Sequence, residues 1–376
     1  MKLSVKPRIV FLSLNSITAI PVFRLIFSEI ETSFFSSQFI IECFLEDMSS
    51  RFTKPYQHID ILKFKNARQF NNQSLLQKVR KYLMILGYAI RFIKADTIIY
   101  TCDLEVLALC IFIKWIKRSR CRFVYHQFEA IERKNAIFIK RLALKYLNHA
   151  TAIDFSIFPE QNRLELFKEL IAQPALNSMV FPNTCYPHQH NTDNSNRKFI
   201  IGHIGNLSFQ SFYLKELLVS AKMLNYVNFH FIFVGVKDKS VEKRIREAIP
   251  EAEIKGWMDH VALTQIYETL DLGLILYRPL DFNTDYCAPN KLYEYWSYGI
   301  PVFAPELKGL LPVFDSPLKG KLVNFTDSNQ VVKSLSAMVK NKDRAIGKEK
   351  LCTLFSHTLA IGVFMRKLHR KFDELI

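Results

Sequence analysis

Short apolar runs alternate with longer amphipathic segments along the chain. Residues 97–101 and 122–126 are apolar at most positions and flank a helical pattern over 104–117. Continuous apolar runs of this length are typical of strands buried on both faces of a parallel sheet. The same pattern predicts further strands at 7–14, 38–45, 58–64, 151–157, 179–181, 198–204, 229–235, 253–256, 271–277 and 300–304. Alternating strands and helices predict an α/β protein with doubly wound parallel sheets.

Helical spacing of apolar residues appears between these strands. It predicts helices over 22–31, 74–94, 132–148, 159–170 and 261–270, and a largely helical terminus from 342 to 376. In helix 74–94 the apolar positions recur every three or four residues, with lysines and arginines between them. This helix therefore pairs apolar residues with lysines and arginines.

The segment 288–304 contains the densest set of local signals. Pro289 suits a helix start, Gly299 suits the left-handed position that ends a helix, and Pro301 prevents continuation. Leu292, Tyr295 and Trp296 share the expected packing side, and an apolar strand follows at 300–304. The segment therefore predicts a loop, a short helix and a buried strand.

The polar side of this helix has a chemical use. Asn290, Lys291 and Glu294 can share one face, because residues three and four apart are neighbours on a helix. A helix N-terminus attracts phosphate, Lys291 adds positive charge, and Glu294 can accept hydrogen bonds from a ribose diol. The alternative is that Lys291 and Glu294 form an ordinary surface pair.

This segment resembles the donor-nucleotide motif of GT-B glycosyltransferases, particularly family 4-like bacterial enzymes of polysaccharide assembly. The resemblance is carried by Pro289, Lys291, Glu294, Gly299, Pro301 and Val302. It implies two Rossmann-like, doubly wound domains that face each other across a cleft, with the nucleotide sugar bound in the C-terminal domain. Such enzymes usually transfer the sugar, here expected to be a hexose, without a bound metal.

The domain boundaries follow from the same comparison. Residues 180–183, Val-Phe-Pro-Asn, resemble the end of many GT-B N-terminal domains, and the polar stretch 184–197 is the expected linker. The expected domains are then 1–183 on the acceptor side and 198–357 on the donor side. The resemblance also implies that a terminal helix, 358–376, returns to the first domain.

Two further donor-side positions depart from the family pattern. At Gly205–Asn206 the family commonly has Gly-Arg, so Arg278 is the candidate that supplies the missing phosphate charge. A second carboxylate often stands eight residues before the ribose glutamate, where this chain has Tyr286, with Asp285 beside it. The donor-binding set is therefore Gly205, Asn206, Arg278, Pro289, Asn290, Lys291 and Glu294, and retention or inversion stays open.

An inverting transferase also needs a general base on the acceptor side. His126 and Glu129 follow a predicted strand end, where ligands gather in doubly wound sheets, and Asp103 is a third possibility. The alternative for His126 is a buried structural histidine. No glycine-rich fingerprint follows the first strand, so no dinucleotide cofactor is expected.

Cysteine usage and histidine spacing argue against a metal site. The seven cysteines contain no Cys-x-x-Cys, which indicates a reduced, cytoplasmic protein without structural zinc. His188 and His190 lack a convincing carboxylate or cysteine partner.

No apolar run reaches the length of a membrane span. Residues 9–23 are interpreted as a buried strand, a polar turn and a helix start rather than as a signal peptide.

The positive charge is unevenly distributed. The formal net charge is +16, and residues 1–183 carry 26 basic and 15 acidic residues, a net of +11. Basic clusters recur in helix 74–94, at 114–122 and at 133–145, which favours peripheral attachment to an anionic inner membrane leaflet over ordinary solvated faces. Nucleic-acid binding is not expected, because no aromatic stacking residues are interleaved in a known module.

Three functions fit these observations. The first is a cytoplasmic, membrane-associated glycosyltransferase that extends a lipid-linked or surface glycan. The second is a sugar-nucleotide epimerase, which can share the GT-B architecture and has no need of a membrane. The third is a non-catalytic GT-B-like partner subunit, which the Asn206 position keeps open.

Overall fold

The computed structural model divides the chain into two compact units. One comprises residues 1–183 and 361–376, and the other comprises residues 184–360. The description covers residues 7–14, 20–32, 40–46, 59–64, 74–95, 97–132, 138–147, 153–188, 198–224, 228–339 and 344–375. Residues 184–188 of the predicted linker belong to the second unit, and residues 189–197 lie outside the described part of the chain.

The first unit is built on a parallel sheet. Its strands are β1 (Arg8–Leu12), β2 (Ile40–Glu46), β3 (Ile59–Phe64), β4 (Thr97–Thr101), β5 (Arg122–His126), β6 (Phe155–Phe158) and β7 (Ser178–Val180). Their order is β3-β2-β1-β4-β5-β6-β7, and the register sets Leu12 beside Thr101. The direction of strand addition reverses between β1 and β4, which is where doubly wound sheets bind ligands.

Helices cover both faces of this sheet. They are α1 (Pro21–Thr32), α2 (Leu75–Phe92), α3 (Leu104–Lys117), α4 (Phe138–Leu147) and α5 (Gln161–Leu170). The helix α2 begins where predicted, because Ser74 and Gln77 form a reciprocal capping box. The adjacent helices α2, α3 and α4 pack on one hydrophobic cluster, and α1 packs on the other face.

The second unit has its own parallel sheet. Its strands are β8 (Phe199–Ile204), β9 (Phe229–Val234), β10 (Glu253–Lys255), β11 (Leu272–Leu274), β12 (Val302–Pro305) and β13 (Gly320–Val323), in the order β10-β9-β8-β11-β12-β13. The reversal here falls between β8 and β11. Both sheets confirm the predicted α/β class with two Rossmann-like domains.

The helices of the second unit follow the same alternation. They are α6 (Leu214–Lys222), α7 (Lys239–Ala248), α8 (His260–Thr269), α9 (Phe282–Asp285), α10 (Asn290–Ser297), α11 (Ser328–Val339) and α12 (Arg344–Thr358). The last helix, α13 (Ile361–Glu374), belongs to the first unit and packs against α1. Helices α6, α7, α9 and α11 and strand β13 were not among the sequence predictions.

Several sequence predictions need a change of bounds; the strand predicted over 151–157, for example, is observed as Phe155–Phe158. The strand predicted over 271–277 ends at Leu274, because Tyr277 forms an isolated antiparallel bridge with Phe212 instead of continuing the ladder. The helix predicted over 132–148 is described from Phe138 to Leu147, and residues 133–137 and 148 lie outside the described residues.

The core of the first unit encloses His126. The imidazole is 0% exposed, stacks on Phe128 at 4.2 Å, and lies edge-on to Phe23 at 5.5 Å. Its Nδ1 lies 2.6 Å from the Tyr100 hydroxyl, and its buried Nε2 has no hydrogen-bond partner among the described residues. Burial lowers the pKa of His126 from 6.5 to about 3, so the folded protein holds the ring neutral.

This burial predicts an acid-sensitive first unit. Because the pKa is lower in the folded chain, stability is complete above about pH 6.5 and falls as the pH drops from there toward 3. The loss reaches about 1.4 kcal/mol per pH unit, or roughly 2 kcal/mol between pH 7 and pH 5. His126→Gln should flatten this dependence. Hydrogen exchange of the segment 97–126 at the two pH values measures it, and an unchanged slope in the variant would contradict this account.

Candidate functional site

The helix α10 is fixed against the sheet of the second unit by its aromatic residues. The Tyr295 hydroxyl donates to the Gly202 carbonyl at 3.2 Å and accepts from the Ile204 amide at 3.0 Å. Its ring lies where a side chain on Gly273 would stand, since a Cβ there would be 2.5 Å from the ring. These contacts hold α10 against the last residues of β8 and against β11, the two strands between which the strand order reverses.

Both ends of α10 agree with the sequence prediction. Pro289 is the buried N-cap and makes no side-chain capping bond, so the first amides of the helix are not capped by it. Gly299 has a φ of 70°, and a Cβ on it would lie 2.5 Å from the Lys348 carbonyl. The predicted packing residues Leu292, Tyr295 and Trp296 are all buried.

Lys291 and Glu294 are in direct contact on the outer side of this helix. The Lys291 ammonium donates to Oε2 of Glu294 at 2.6 Å, and the Tyr267 hydroxyl donates to the same oxygen at 2.5 Å. Lys291 also donates to the Tyr267 hydroxyl at 3.1 Å. The side chains of Lys291 and Glu294 are 28% and 30% exposed, so the pair is accessible to a ligand. Asn290, one residue earlier, is partly exposed.

Tyr267 was not found from the sequence. It lies on α8, which was predicted as a helix, but no local motif marks it. Its hydroxyl reaches Glu294 across 27 residues of sequence. Burial raises the pKa of Tyr267 well above its usual value, and the Glu294 charge raises it further. Tyr267 therefore remains a proton donor throughout the physiological range.

The Gly205–Asn206 turn follows β8 directly. Gly205 has a φ of 143°, and a Cβ on Gly235 would lie 2.7 Å from the Gly205 carbonyl oxygen, so two loops meet closely here. The Asn206 side chain is exposed. The close approach requires glycine at 235 and the positive φ favours glycine at 205, which leaves backbone rather than side chains at the strand end.

Beneath the turn lies a second histidine that sequence reasoning missed. His203 is buried, and its Nδ1 is 3.2 Å from the Leu274 carbonyl. Burial is the main cause that lowers its pKa to about 4; the backbones of Asn206 and Leu274 oppose this, and the Lys291 charge adds to it. The Asn206 backbone affects the pKa of the ring, but its distance and angle do not make it a hydrogen-bond partner. Among the described residues, Nε2 has no hydrogen-bond partner. The Lys291 charge therefore acts on His203, two residues before Gly205.

Arg278 lies at the same edge but is already paired. Its Nη2 donates to both oxygens of Glu216 at 2.5 Å, and its Nε donates to the Phe212 carbonyl at 2.9 Å. The guanidinium also covers the Tyr213 ring at 4.6 Å. Its charge is thus balanced by Glu216 and would be shared with any phosphate that binds nearby.

Asp285 supports a neighbouring loop. Its carboxylate pairs with the Lys308 ammonium at 2.9 Å, and its carbonyl accepts from the Gly309 amide at 2.8 Å. Lys308 in turn lies 5.2 Å from the Tyr286 ring. Tyr286 stands eight residues before Glu294, where family 4-like enzymes often have a second carboxylate. Asp285, Tyr286 and Lys308 are in contact with one another and support the loop.

The three acceptor-side candidates differ strongly in environment. Glu129 is exposed, whereas His126 is enclosed in the aromatic core described above. Asp103 accepts from the Ser13 hydroxyl at 2.7 Å and from the Leu14 amide at 2.6 Å, so it fixes the chain just beyond β1. Burial raises the pKa of Asp103, and these two bonds oppose that shift.

Glu105 joins these carboxylates and was not among the sequence candidates. Burial raises its pKa, and Asp103 and Glu129 raise it further, whereas Lys140 lowers it. The charges of Asp103 and Glu129 thus both act on Glu105, near the ends of β4 and β5. The structure does not bring His126 into this group by any contact described.

One of the two linker histidines lies in the described part of the chain, and its ring makes an aromatic contact. His188 stacks on Tyr298, with 3.8 Å between ring centroids, and His190 lies outside the described residues. Within the described ranges, no three side chains of histidine, cysteine, aspartate or glutamate are grouped to hold a metal ion.

None of the described helices is long and apolar enough to cross a membrane.

Comparison with known proteins supports the fold through structure alone. No protein-family model and no curated protein matches the sequence. Anabaena HepE in complex with UDP superposes with a TM-score of 0.73 at 14% identity, covering 98% of this chain and all of that one. The lipopolysaccharide outer core galactosyltransferase WaaB gives a TM-score of 0.68 at 13% identity, with 98% and 100% coverage.

A third similar structure extends the comparison. Sucrose-phosphate synthase from Thermosynechococcus elongatus gives a TM-score of 0.67 at 13% identity and covers 99% of this chain and 100% of its own. These matches span both units, so the likeness includes both Rossmann-like folds rather than one of them. The chain therefore has the GT-B fold of these glycosyltransferase structures.

Proposed function

We propose that the chain is a glycosyltransferase that moves a sugar from a nucleotide-sugar donor to a lipid-linked or surface-glycan acceptor. The observation that carries the proposal is the junction of α10 with the end of β8. Tyr295 ties α10, which carries the Lys291–Glu294 pair, to the strand that leads into the Gly205–Asn206 turn. A helix start, an ammonium group and a carboxylate are thereby assembled at the topological switch point.

These groups meet the needs of glycosyl transfer. The reaction breaks a sugar–phosphate bond, so the leaving diphosphate must be stabilised as charge develops on it. The first amides of α10 and the Lys291 ammonium provide that stabilisation, and the turn at Gly205 allows phosphate oxygens to approach the backbone. Glu294 accepts the ribose hydroxyls and sets the orientation of the nucleotide.

The similar structures support a nucleotide-sugar donor. Anabaena HepE has been solved with UDP and also with UDP-glucose. Carried over to this chain, a nucleoside diphosphate attached to a hexose is the donor class. Arg278 lies at the same edge and adds positive charge when the diphosphate competes with Glu216 for it.

On the acceptor side, Glu129 is the stronger candidate for a general base. Its carboxylate is exposed, so an acceptor hydroxyl can reach it. His126 also holds an unprotonated ring at neutral pH, but its environment is closed to solvent. An inverting reaction would use such a base, whereas a retaining reaction would not require it.

The helical layer of the first unit suggests where the acceptor is met. Helices α2, α3 and α4 contain nine lysines and arginines and one acidic residue, Glu105. Their outer sides also expose a set of large apolar side chains: Leu76, Val79, Leu83, Ile90, Phe112, Trp115, Ile116, Ile139 and Leu142. Basic and apolar side chains on one helical layer fit an anionic lipid surface, with apolar groups entering the headgroup region.

A second candidate function is a nucleotide-binding partner subunit without transfer activity. Two observations favour it: Asn206 stands where the family has arginine, and the Arg278 charge is balanced by Glu216. Incubation of the purified chain with a panel of nucleotide sugars separates the two. Release of the nucleoside diphosphate supports transfer or hydrolysis, whereas thermal stabilisation without release supports the partner subunit.

Glu294→Gln should weaken nucleoside-diphosphate binding by about 1–3 kcal/mol, because a charged acceptor for the ribose hydroxyls is lost. Calorimetry with UDP, GDP, ADP and CDP measures the effect for whichever binds. Glu268→Gln is the matched control, since Glu268 is an exposed glutamate on the adjacent helix α8. Equal affinity of both variants and the wild type would remove Glu294 from the site.

Transfer activity should persist in excess EDTA. In the proposed mechanism the helix start and Lys291 stabilise the diphosphate charge that a divalent ion would otherwise neutralise. The measurement is the initial rate of nucleoside-diphosphate release before and after chelation. A rate that collapses in EDTA and returns with magnesium or manganese would show that this assignment of charge is wrong.

The chain should bind vesicles that contain anionic lipid, and binding should weaken as salt rises. Replacing Lys78, Lys81, Arg91 and Lys94 together by Gln should release it, at up to about 1 kcal/mol per neutralised residue. Co-sedimentation measures binding. The matched control replaces four exposed lysines of the second unit, Lys215, Lys222, Lys239 and Lys243, by Gln.

Trp115 gives an independent measure of the same contact. Its side chain is 72% exposed, so insertion among lipid headgroups should shift its fluorescence to shorter wavelength. Trp257→Phe removes the other exposed tryptophan, and Trp296 is buried. If both quadruple variants pelleted equally and the fluorescence did not shift, the proposed lipid contact would be wrong. The basic residues of α2, α3 and α4 would then be ordinary solvated surface.

A further inference from the structure

We infer that Tyr267 is a positioning residue that holds the Glu294 carboxylate ready for a ribose diol, an inference that rests on the proposed function. In that proposal, the Glu294 carboxylate is the one group of the donor site that binds the ribose hydroxyls. Its orientation therefore decides how well the site distinguishes a ribonucleotide from a nucleotide without hydroxyls. Tyr267 is not part of the motif at 289–294 and lies on a different helix.

The first observation is the distribution of hydrogen bonds on Glu294. The Tyr267 hydroxyl and the Lys291 ammonium both donate to Oε2, at 2.5 and 2.6 Å. Among the described residues no donor reaches Oε1. Two donors on one oxygen fix the plane of the carboxylate and leave the second oxygen to accept a ligand hydroxyl.

The second observation is that Tyr267 itself cannot move easily. Its side chain is only 2% exposed, and its ring stacks on Tyr298 with 4.8 Å between centroids and 11° between planes. Tyr295 lies edge-on to it at 5.6 Å, and this is the residue that ties α10 to β8. A buried, stacked ring has already lost its rotational freedom on folding, so it holds its partner at little further entropic cost.

The third observation concerns the proton. Burial, followed by the charge of Glu294, raises the pKa of Tyr267 well above its usual value. The hydroxyl consequently keeps its proton at neutral pH and can donate it to Glu294. Lys291 alone would orient the Glu294 carboxylate less firmly, because its ammonium is a point charge on a flexible side chain. The proposed phosphate also attracts this ammonium.

These observations predict a specific defect in Tyr267→Phe. The ring and its stacking survive, but Oε2 loses its fixed donor and the carboxylate is free to rotate toward Lys291. Binding energy that depends on the ribose hydroxyls should fall, whereas binding through the diphosphate should persist. The ratio of ribonucleotide to dideoxynucleotide affinity reports the contribution of the ribose hydroxyls. The contribution of the diphosphate cancels in this ratio, because both ligands carry it.

The experiment compares each nucleoside diphosphate that binds the wild type, from the panel UDP, GDP, ADP and CDP, with its 2′,3′-dideoxy form by calorimetry. The wild type should prefer the ribonucleotide by about tenfold or more, as expected for hydrogen bonds to a charged group. Tyr267→Phe should reduce that preference several-fold and leave the dideoxynucleotide affinity unchanged. Thermal unfolding verifies that the variant is folded.

Tyr298→Phe is the matched control. It removes one hydroxyl from the neighbouring ring of the same stack, and that hydroxyl lies 3.3 Å from Thr264 rather than near Glu294. This variant should keep the wild-type preference. A Tyr267→Phe variant with full preference, or a Tyr298→Phe variant with an equal loss, would overturn the positioning role while nucleotide binding still stood. A wild type that binds none of the four diphosphates would overturn the proposed function as well.

Discussion

The contact between the Tyr295 hydroxyl and the last residues of β8 organises the second unit. The hydroxyl bridges the Gly202 carbonyl and the Ile204 amide, and Gly273 makes room for the ring on the adjacent strand β11. One side chain thus joins a helix to the two strands between which the sheet reverses its order. The placement of Lys291, Glu294 and the Gly205 turn depends on it, because each lies within a few residues of one end of this bridge.

Charged side chains around this junction occur in balanced pairs. Lys291 pairs with Glu294, Arg278 with Glu216, and Lys308 with Asp285. Each pair is partly exposed, so its net contribution to stability is small and a ligand can exchange partners with it at modest cost. An anionic ligand would gain most from Lys291, whose carboxylate partner also receives a bond from Tyr267 and does not depend on the lysine alone.

Local signals explain which parts of this arrangement were predictable. The helix at 290–297 was found because Pro289, Gly299 and Pro301 restrict the backbone within a few residues, and β4, α3 and β5 were found with their observed bounds because their apolar runs are continuous. Tyr267, His203 and Glu105 were missed because nothing in their own segments marks them. Their roles arise from contacts and charges across long stretches of sequence, which only the folded chain brings together.

The first unit poses a different physical problem, since its helical layer keeps large apolar side chains in water. Leu76 and Trp115 are 80% and 72% exposed, and the exposed positions on α2 and α3 follow helical spacing. An exposed apolar face of this size usually marks a contact surface, because leaving it in water forgoes about 25 cal/mol for each Å² that could be covered. The interspersed lysines and arginines disfavour a second copy of the same face, since like charges would be brought together. They favour an anionic surface instead, where the apolar and the electrostatic contributions have the same sign. The proposed lipid contact accounts for both features of the layer.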